Sequence, residues 1–559
     1  MISSIAIENF KAFGKKQILP IKPITLIFGP NSSGKSSIIH SLLFSQHALK
    51  TGELDVFLTF GGGTSVDLGG FKQYIFKGNP DNLLTWSATL QLSNDQRRLR
   101  ELLSNSDQIE VTSTIRLPKE EIKERVTSYN AKKTEQTIEV PTGEYRYAET
   151  PVITSYSIAI DGKELFSMGF REEKILRIER LNFDHPVLKD LLKNIIEGGT
   201  TLQKVQDSDI NISEKIIRKS LTRYRFRCDH FIPNELIKTD EDMKKQSFIY
   251  PVSQGTRDDD VGKAIELFLP RILNDIVSGI WNELSQNLTN LEYLGPLRSY
   301  PPRHLAFTES EDHNWRAGGG FAWDILRKDQ SVRDKINEWL GNKDRLKTPY
   351  RLEIKDFSSL EEITSEYHDK IEEFENKFTT EEYDWDLFGE LYGLKYRMEQ
   401  WAKNKSIIRE LYLKDLRTDT AVSHRDVGIG ISQIIPVLVS AYANKMKMIA
   451  IEQPEIHVHP GLQAELGDLF IESALGENSN KFILETHSEH IILRILRRIR
   501  ETSLGKDVSY KIKPSDISLV FIDSTKNGAV IKALRVDEKG RIIDKVPGGF
   551  FEEDFEELF

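Results

Sequence analysis

The run Phe28-Gly29-Pro30-Asn31-Ser32-Ser33-Gly34-Lys35-Ser36-Ser37 constrains this chain more than any other stretch, because the pattern G-x-x-x-x-G-K-[ST] follows directly on the apolar segment Ile24-Thr25-Leu26-Ile27-Phe28. That arrangement predicts a strand running into a phosphate-binding loop. Glycines let such a loop curl until successive N–H groups face one anion, and a helix expected from about Ser36 to Ala48 aims its positive end at the same place. Gly29, Pro30, Asn31, Ser32, Ser33, Gly34, Lys35, Ser36 and Ser37 are therefore the candidate nucleotide-binding residues. Lys35 would reach the β and γ phosphates, and the Ser36 hydroxyl would hold Mg²⁺, a hard cation that accepts oxygen ligands and phosphate together.

Length and composition set the frame around that loop. At 559 residues and about one domain per 150 residues, three or four domains are expected. Hydrophobic residues at 39% and charged residues at 29% fit a globular chain and argue against wholesale disorder. A single cysteine, Cys228, allows no internal disulfide and favours a reducing, cytoplasmic setting. No apolar stretch reaches the roughly 20 residues of a membrane helix, and the N-terminus lacks a signal-peptide core, so no membrane association is expected. The net charge of -10 argues against a surface that coats nucleic acid indiscriminately.

Taken in order, Ile2 to Phe10 reads as a first strand that bends at Lys11-Ala12-Phe13-Gly14 before the phosphate-loop strand. Runs rich in β-branched and aromatic residues follow at Leu84–Leu92, Ile109–Leu117, Ile138–Tyr147 and Val152–Ile160, predicting an antiparallel sheet annexed to the first lobe. From about His185 to Asn290 the three-to-four spacing of apolar residues predicts helices. Within that region Lys215, Arg218, Lys219, Arg223, Arg225 and Arg227 gather around Tyr224 and Phe226, either as a nucleic-acid contact or as a solvated face. Leu291 to Arg298 returns to strand and turn, and Gly318-Gly319-Gly320 reads as a mobile hinge. A charged helical segment from about Leu360 to Lys403 interrupts strands near Tyr350–Ile354 and Ile407–Leu413, and is read as a helical hairpin.

The second half of the site comes late in the chain. Asp426-Val427-Gly428-Ile429-Gly430-Ile431-Ser432-Gln433 precedes an apolar helix, which places Ser432 at another anion-facing helix start. Met446 to Ile451 predicts a buried strand ending in Glu452-Gln453-Pro454-Glu455, where Glu452 would hold Mg²⁺ or its waters beside Ser36. Lys481 to His487 is a further strand whose end brings His487 toward a γ-phosphate. Gln453, Glu455 and His487 are the candidate catalytic residues, and Ser36 and Glu452 the candidate metal ligands. A dedicated zinc site from His457, His459, His487 and His490 is disfavoured, because the spacings match no common zinc pattern. Arg494, Arg497 and Arg498 share one face of the next helix, as an acidic-partner or nucleic-acid patch or a solvated surface.

These motifs together resemble an ABC-type ATPase head of the SMC-like and OLD-like group, an α/β fold split by a long β-then-helical insertion. The resemblance implies an N-terminal lobe with the phosphate loop over residues 1–115, an insertion over 116–405, and a C-terminal lobe over 406–559. It also implies a signature at Gly428–Gln433, a Walker B strand ending at Glu452, a D-loop at about Glu455–Pro460 and a switch histidine at His487. Heads of this kind bind ATP and Mg²⁺ at a dimer interface, so Ser432 of one subunit is expected opposite the phosphates held by Lys35 of another, in a homodimer or higher homo-oligomer.

More narrowly, Val427–Gln433, Ile451–Glu455, Glu485–His490 and Gly548-Gly549-Phe550-Phe551-Glu552 resemble the PtuA group of Septu and retron antiphage defence systems. The match covers roughly residues 1–80 and 410–559. It implies a regulatory ATPase that holds and gates a partner HNH nuclease, with a reverse transcriptase and its nucleic acid as further partners in a retron. A self-contained OLD-like nuclease would need a Toprim domain with an Asp-x-Asp pair, whereas Asp523 stands alone in Phe521-Ile522-Asp523-Ser524, so the chain is not expected to be a nuclease itself. An SMC-like ATPase in DNA repair or DNA processing is the alternative. Slow hydrolysis is expected because Gln453 stands where the family pattern has a catalytic glutamate, leaving Glu455 as the replacement base.

Overall fold

The computed structural model describes residues 1–546 apart from 93–95, 105, 130–134, 173, 201, 203, 238–255, 299–312, 344, 358–371, 373–388, 390–391, 398–407 and 424–426. Five parallel strands form its central layer. Across the sheet they run Glu292–Leu294, Met448–Glu452, Lys481–Glu485, Ile24–Phe28 and Ile517–Thr525, and Gly528–Leu534 closes the edge antiparallel. Ile24–Phe28 and Met448–Glu452 are buried at every residue, as expected of parallel strands covered on both faces.

Alternation along these strands divides the interior into two cores. Ile27, Ala450, Ile483 and Val520 face one core, together with Ile38, Leu42 and Phe44 of the helix Lys35–Thr51. Leu26, Phe28, Ile449, Ile451 and Phe482 face the other, closed by the helices Ile429–Ala443, Pro460–Leu475 and Glu489–Ser503. Leu26 is fully enclosed, and truncating such a leucine to alanine costs about 2–5 kcal/mol.

A nine-stranded antiparallel sheet covers the first core, in the order Glu235–Leu236, Arg225–Arg227, Ile175–Leu181, Lys163–Glu172, Val152–Ile160, Gln108–Arg116, Leu84–Gln91, Ile2–Glu8 and Gln17–Pro20. Three of the four predicted β runs lie in it. The fourth, around 138–147, pairs instead with Lys119–Tyr129 as a separate two-stranded ribbon. Lys163–Glu172 and Ile175–Leu181 were not expected as strands; their many charged residues mask an inward set that includes Leu165, Phe166, Met168, Leu176 and Ile178.

The helical stretch contains Pro186–Gly199, Asp207–Ser220 and Arg257–Thr289. Thr256 caps the last of these by accepting from Asp259 N, and Asp258, Asp259 and Asp260 sit in its first turn, where the helix dipole favours them. Arg223 lies in a short 3₁₀ turn outside the strand Arg225–Arg227, so of the basic residues around Tyr224 and Phe226 only Arg225 and Arg227 share a strand. Arg227 pairs with Glu235 at 3.0 Å, and Arg218 with Glu214 at 2.7 Å.

Gly318–Gly320 is buried packing and not a hinge. A Cβ at Gly319 (φ 78°) would come within 2.8 Å of Pro436 Cβ, and one at Gly320 within 2.3 Å of the Trp315 ring. The strands Tyr350–Phe357 and Ile408–Asp415 pair antiparallel, with Thr420–Val422 beyond them. The helical hairpin expected between the first two falls almost wholly outside the described residues, as do Gly548–Glu552 and the acidic, aromatic tail.

Candidate nucleotide site

Parallel strands deliver their carboxyl ends to one edge of the sheet, and at this edge the chain places four polar segments side by side. Phe28 leads into the phosphate loop, Glu452 into Gln453–Glu455, Glu485 into Thr486–His487, and Leu294 into the turn ending at Arg298.

The loop curls as its glycines require. Gly29 has φ 144°, and a Cβ there would meet the Ile522 carbonyl at 2.4 Å. Gly34 has φ 101° and caps the helix Lys35–Thr51 without help from a side chain, which leaves the first N–H groups of that helix directed at the loop. Lys35 Nζ donates to the carbonyls of Gly29 at 3.2 Å and Pro30 at 2.8 Å, so its ammonium lies over the curl. Burial lowers the Lys35 pKa, with the charge of Glu485 acting the other way. Pro30, Asn31 and Ser32 are exposed, whereas Ser33 and Ser37 are buried. Ser33 Oγ has no hydrogen-bond partner among the described residues.

Glu452 and Glu485 are register partners on adjacent strands, and the Ser36 hydroxyl lies close enough to both carboxylates to favour their charged forms. Glu452 Oε1 also accepts from Tyr293 Oη at 3.0 Å. Burial, followed by the like charge of Glu485, pushes the Glu452 pKa up to about 8. Burial likewise raises that of Glu485, whose Oε2 has no hydrogen-bond partner among the described residues. Two buried carboxylates that resist ionising, an oxygen with no donor, and a serine hydroxyl at the head of a phosphate loop form an all-oxygen set that fits a Mg²⁺ ion.

A second polar chain reaches Glu452 from the N-terminal strand. Lys11 Nζ lies 2.8 Å from His40 Nδ1. An ammonium can only donate, so Nδ1 accepts and the ring proton sits on Nε2, which lies 3.7 Å from Glu452 Oε1. Burial, followed by the charge of Lys11, holds the His40 pKa down at about 3, so this histidine is neutral.

The predicted catalytic residues meet through Glu455. Its Oε1 accepts from His487 N at 2.6 Å and its Oε2 from Thr486 Oγ1 at 2.9 Å. Burial raises the Glu455 pKa, with these two bonds acting against the rise. Burial lowers that of His487, and the charge of Lys35 adds to the effect. Gln453 adopts φ 46°, and its N–H donates to the Glu485 carbonyl at 2.7 Å.

Ser432 is placed differently from the sequence expectation. The helix begins earlier, at Ile429, so Ser432 lies within its first turn and is only 2% exposed. Gly428, which caps that helix, is the exposed residue of the turn, and a Cβ there would meet nothing within 4 Å. Arg494, Arg497 and Arg498 are engaged with acids of the same subunit. Arg494 pairs with Glu465 and Asp468, Arg498 with Asp468 and Glu501, and Arg497 with Glu501.

Sequence reasoning did not single out Glu485, Arg298, Tyr293, His40 or Lys11. The signal for Glu485 was its place at the end of an apolar strand, equivalent to Glu452; no local pattern marks the other four, since Lys11 and His40 meet across 29 residues and the partners of Tyr293 and Arg298 lie 135–159 residues along the chain.

A family model described as AAA ATPase domain matches residues 1–492. Chromosome condensation protein dpy-27 of Caenorhabditis elegans is 41% identical over 68 residues, and the chain spans 5% of the length of that relative, using 11% of its own. Among solved structures, the Smc head bound to the C-winged helix domain of ScpA aligns at 9% identity and a TM-score of 0.36, covering 96% of this chain and 98% of that one. The SMC head domain from Thermotoga maritima aligns at 10% identity and a TM-score of 0.32, covering 96% and 99%. At those scores the likeness adds nothing to the fold already described.

Proposed function

The chain belongs to the AAA ATPase domain family, and from that premise we propose that it binds Mg²⁺–ATP at the strand ends and turns it over slowly, as a switch. The observation that carries this reading is the register pairing of Glu452 and Glu485 at the strand ends beside Ser36, next to a lysine lying over the phosphate loop. Ser36, Glu452 and Glu485 would hold the Mg²⁺, whose chemistry is to neutralise charge on the phosphate oxygens. Residues 29–37 bind the phosphates, and Lys35 supplies the cation. Glu455 accepts the proton of the attacking water, Gln453 orients that water, and His487 approaches the γ-phosphate. Without a carboxylate at 453, general-base help of roughly 10²- to 10⁴-fold rests on Glu455 alone.

A second copy of the chain would meet the nucleotide through the exposed Gly428 turn, giving a homodimer or higher homo-oligomer. The resemblance of the strand-end motifs to the PtuA group supports the finer reading, a regulatory ATPase of an antiphage defence complex that gates a partner HNH nuclease. A reverse transcriptase and its nucleic acid would join it in a retron. A reading in DNA repair or processing is favoured by one observation, the 41% identity over 68 residues with a chromosome condensation protein.

Isothermal calorimetry with Mg²⁺–ATP and single-turnover hydrolysis test the core reading; no binding, or turnover that survives Lys35→Ala, overturns it. Co-expression with an HNH nuclease tests the finer one. A stable complex whose DNA cleavage responds to ATP supports it, and metal-dependent DNA cleavage by the purified chain alone refutes it.

A further inference from the structure

Arg298 is a buried cation that sits at the site and whose guanidinium bonds to carbonyls of Gln433, Glu452 and Gln453. It is 5% exposed. Nη1 donates to the Gln433 carbonyl at 3.2 Å, and Nη2 to the carbonyls of Glu452 at 3.3 Å and Gln453 at 3.0 Å. Gln433 returns a bond, Nε2 to the Arg298 carbonyl at 3.2 Å. Burying a guanidinium is costly, and only a planar fork can reach carbonyls on two separate segments at once.

The two segments so joined are distinct parts of the site. Gln433 lies near the start of the helix Ile429–Ala443. Gln453 lies in the turn after Glu452 and holds a left-handed φ of 46°, a strained conformation for a residue other than glycine. Its peptide groups are pinned on both sides, the N–H by the Glu485 carbonyl and the C=O by Arg298. Two residues on, Glu455 is held by Thr486 and His487. The path from the helix start to the base therefore runs through Arg298.

We propose that Arg298 is a positioning residue that ties the start of the helix Ile429–Ala443 to the turn Gln453–Glu455, so that ATP turnover depends on it and ATP binding does not. This rests on the ATPase reading above. When the helix start engages a nucleotide, Arg298 carries its displacement to the peptide of Gln453 and so to the carboxylate of Glu455. When the link is cut, the phosphate loop still binds but the base is out of place.

The test uses the full chain as wild type, Arg298→Met, Arg298→Lys, Gln433→Met and Lys35→Ala. Steady-state kcat and KM for Mg²⁺–ATP are measured beside the affinity for a fluorescent ATP analogue. Arg298→Met is expected to lower kcat on the order of 10- to 100-fold while KM and affinity stay within about threefold of wild type. Arg298→Lys should recover part of the loss, and Gln433→Met, which removes only the returned bond, should fall between. Affinity falling in step with kcat, an unchanged kcat, or loss of the thermal transition in both Arg298→Met and Gln433→Met would each overturn the proposal. Wild-type turnover that is abolished by Lys35→Ala but indifferent to Arg298 refutes this inference alone. An absence of Lys35-dependent turnover in the wild type refutes the ATPase reading as well.

Discussion

Glu452 and Glu485 stand side by side at the ends of neighbouring parallel strands, in register, with one serine hydroxyl between them and the phosphate loop. Burial makes both carboxylates harder to ionise, the charge of Glu485 adds to this at Glu452, and the charge of Glu455 adds to it at Glu485. The pairing follows from topology. The two strands enter the sheet adjacent and parallel, so their last residues must meet, and the next strand over is the one that launches the phosphate loop.

Lys35→Ala is expected to weaken Mg²⁺–ATP binding on the order of 10- to 100-fold, because backbone N–H groups alone leave much of the phosphate charge uncompensated. Among the described residues the Lys35 ammonium hydrogen bonds to the Gly29 and Pro30 carbonyls of its own loop, so the fold should survive. Calorimetry with an unchanged dissociation constant would count against the lysine's role.

Gly428→Arg should leave the subunit folded and block ATP-driven association. A side chain at Gly428 meets open space, whereas one enlarged at Ser432 would have to enter a buried position. The thermal midpoint should move little, and light scattering should show no mass increase on adding ATP. Association equal to wild type would place the contact elsewhere.

Gln453→Glu should raise single-turnover hydrolysis, and Glu455→Gln should lower it by roughly 10²-fold or more. Rapid-quench measurements separate these effects from nucleotide binding. A brisk wild-type rate that ignores both substitutions would eliminate the slow-switch reading.

Glu455 also sets a pH dependence of stability. Its pKa is raised in the fold, chiefly by burial, so the folded state keeps a proton that the unfolded chain gives up first. Its contribution is therefore complete below the usual carboxylate range and is lost as pH climbs through the raised value. The fold should therefore lose stability as pH rises above the usual carboxylate range. Glu455→Gln should flatten the fall of the urea midpoint over that range; equal slopes for mutant and wild type would show that Glu455 is ionised in the fold.

Four strands of the central sheet were legible because they are short apolar runs bounded by glycine or charge, and the predicted Ile24–Phe28 matches the observed strand end to end, whereas Ile517–Thr525 and Gly528–Leu534 were not read from the sequence. The phosphate loop was legible because its function fixes its spacing. Lys163–Glu172 was not, because antiparallel strands with a wet face carry charges that blur the apolar alternation. The hinge reading of Gly318–Gly320 failed because glycine marks close packing as readily as freedom, and only the tertiary neighbours Pro436 and Trp315 decide which. Arg298 was invisible for a related reason, since all its bonds reach residues 433–453, far along the chain.

The strand that launches the phosphate loop, Ile24–Phe28, has both of its neighbours, Lys481–Glu485 and Ile517–Thr525, at the other end of the chain. During synthesis it therefore emerges from the ribosome without either pairing partner. Roughly 450 residues must follow before the first neighbour exists, a wait of ~20–90 s at translation rates of about 5–20 residues per second. For that interval two bare, apolar edges stand open to misassembly or to a holding chaperone. The nucleotide pocket cannot form before Lys481–Glu485 and Ile517–Thr525 have been made, so a nascent subunit cannot be armed before that point.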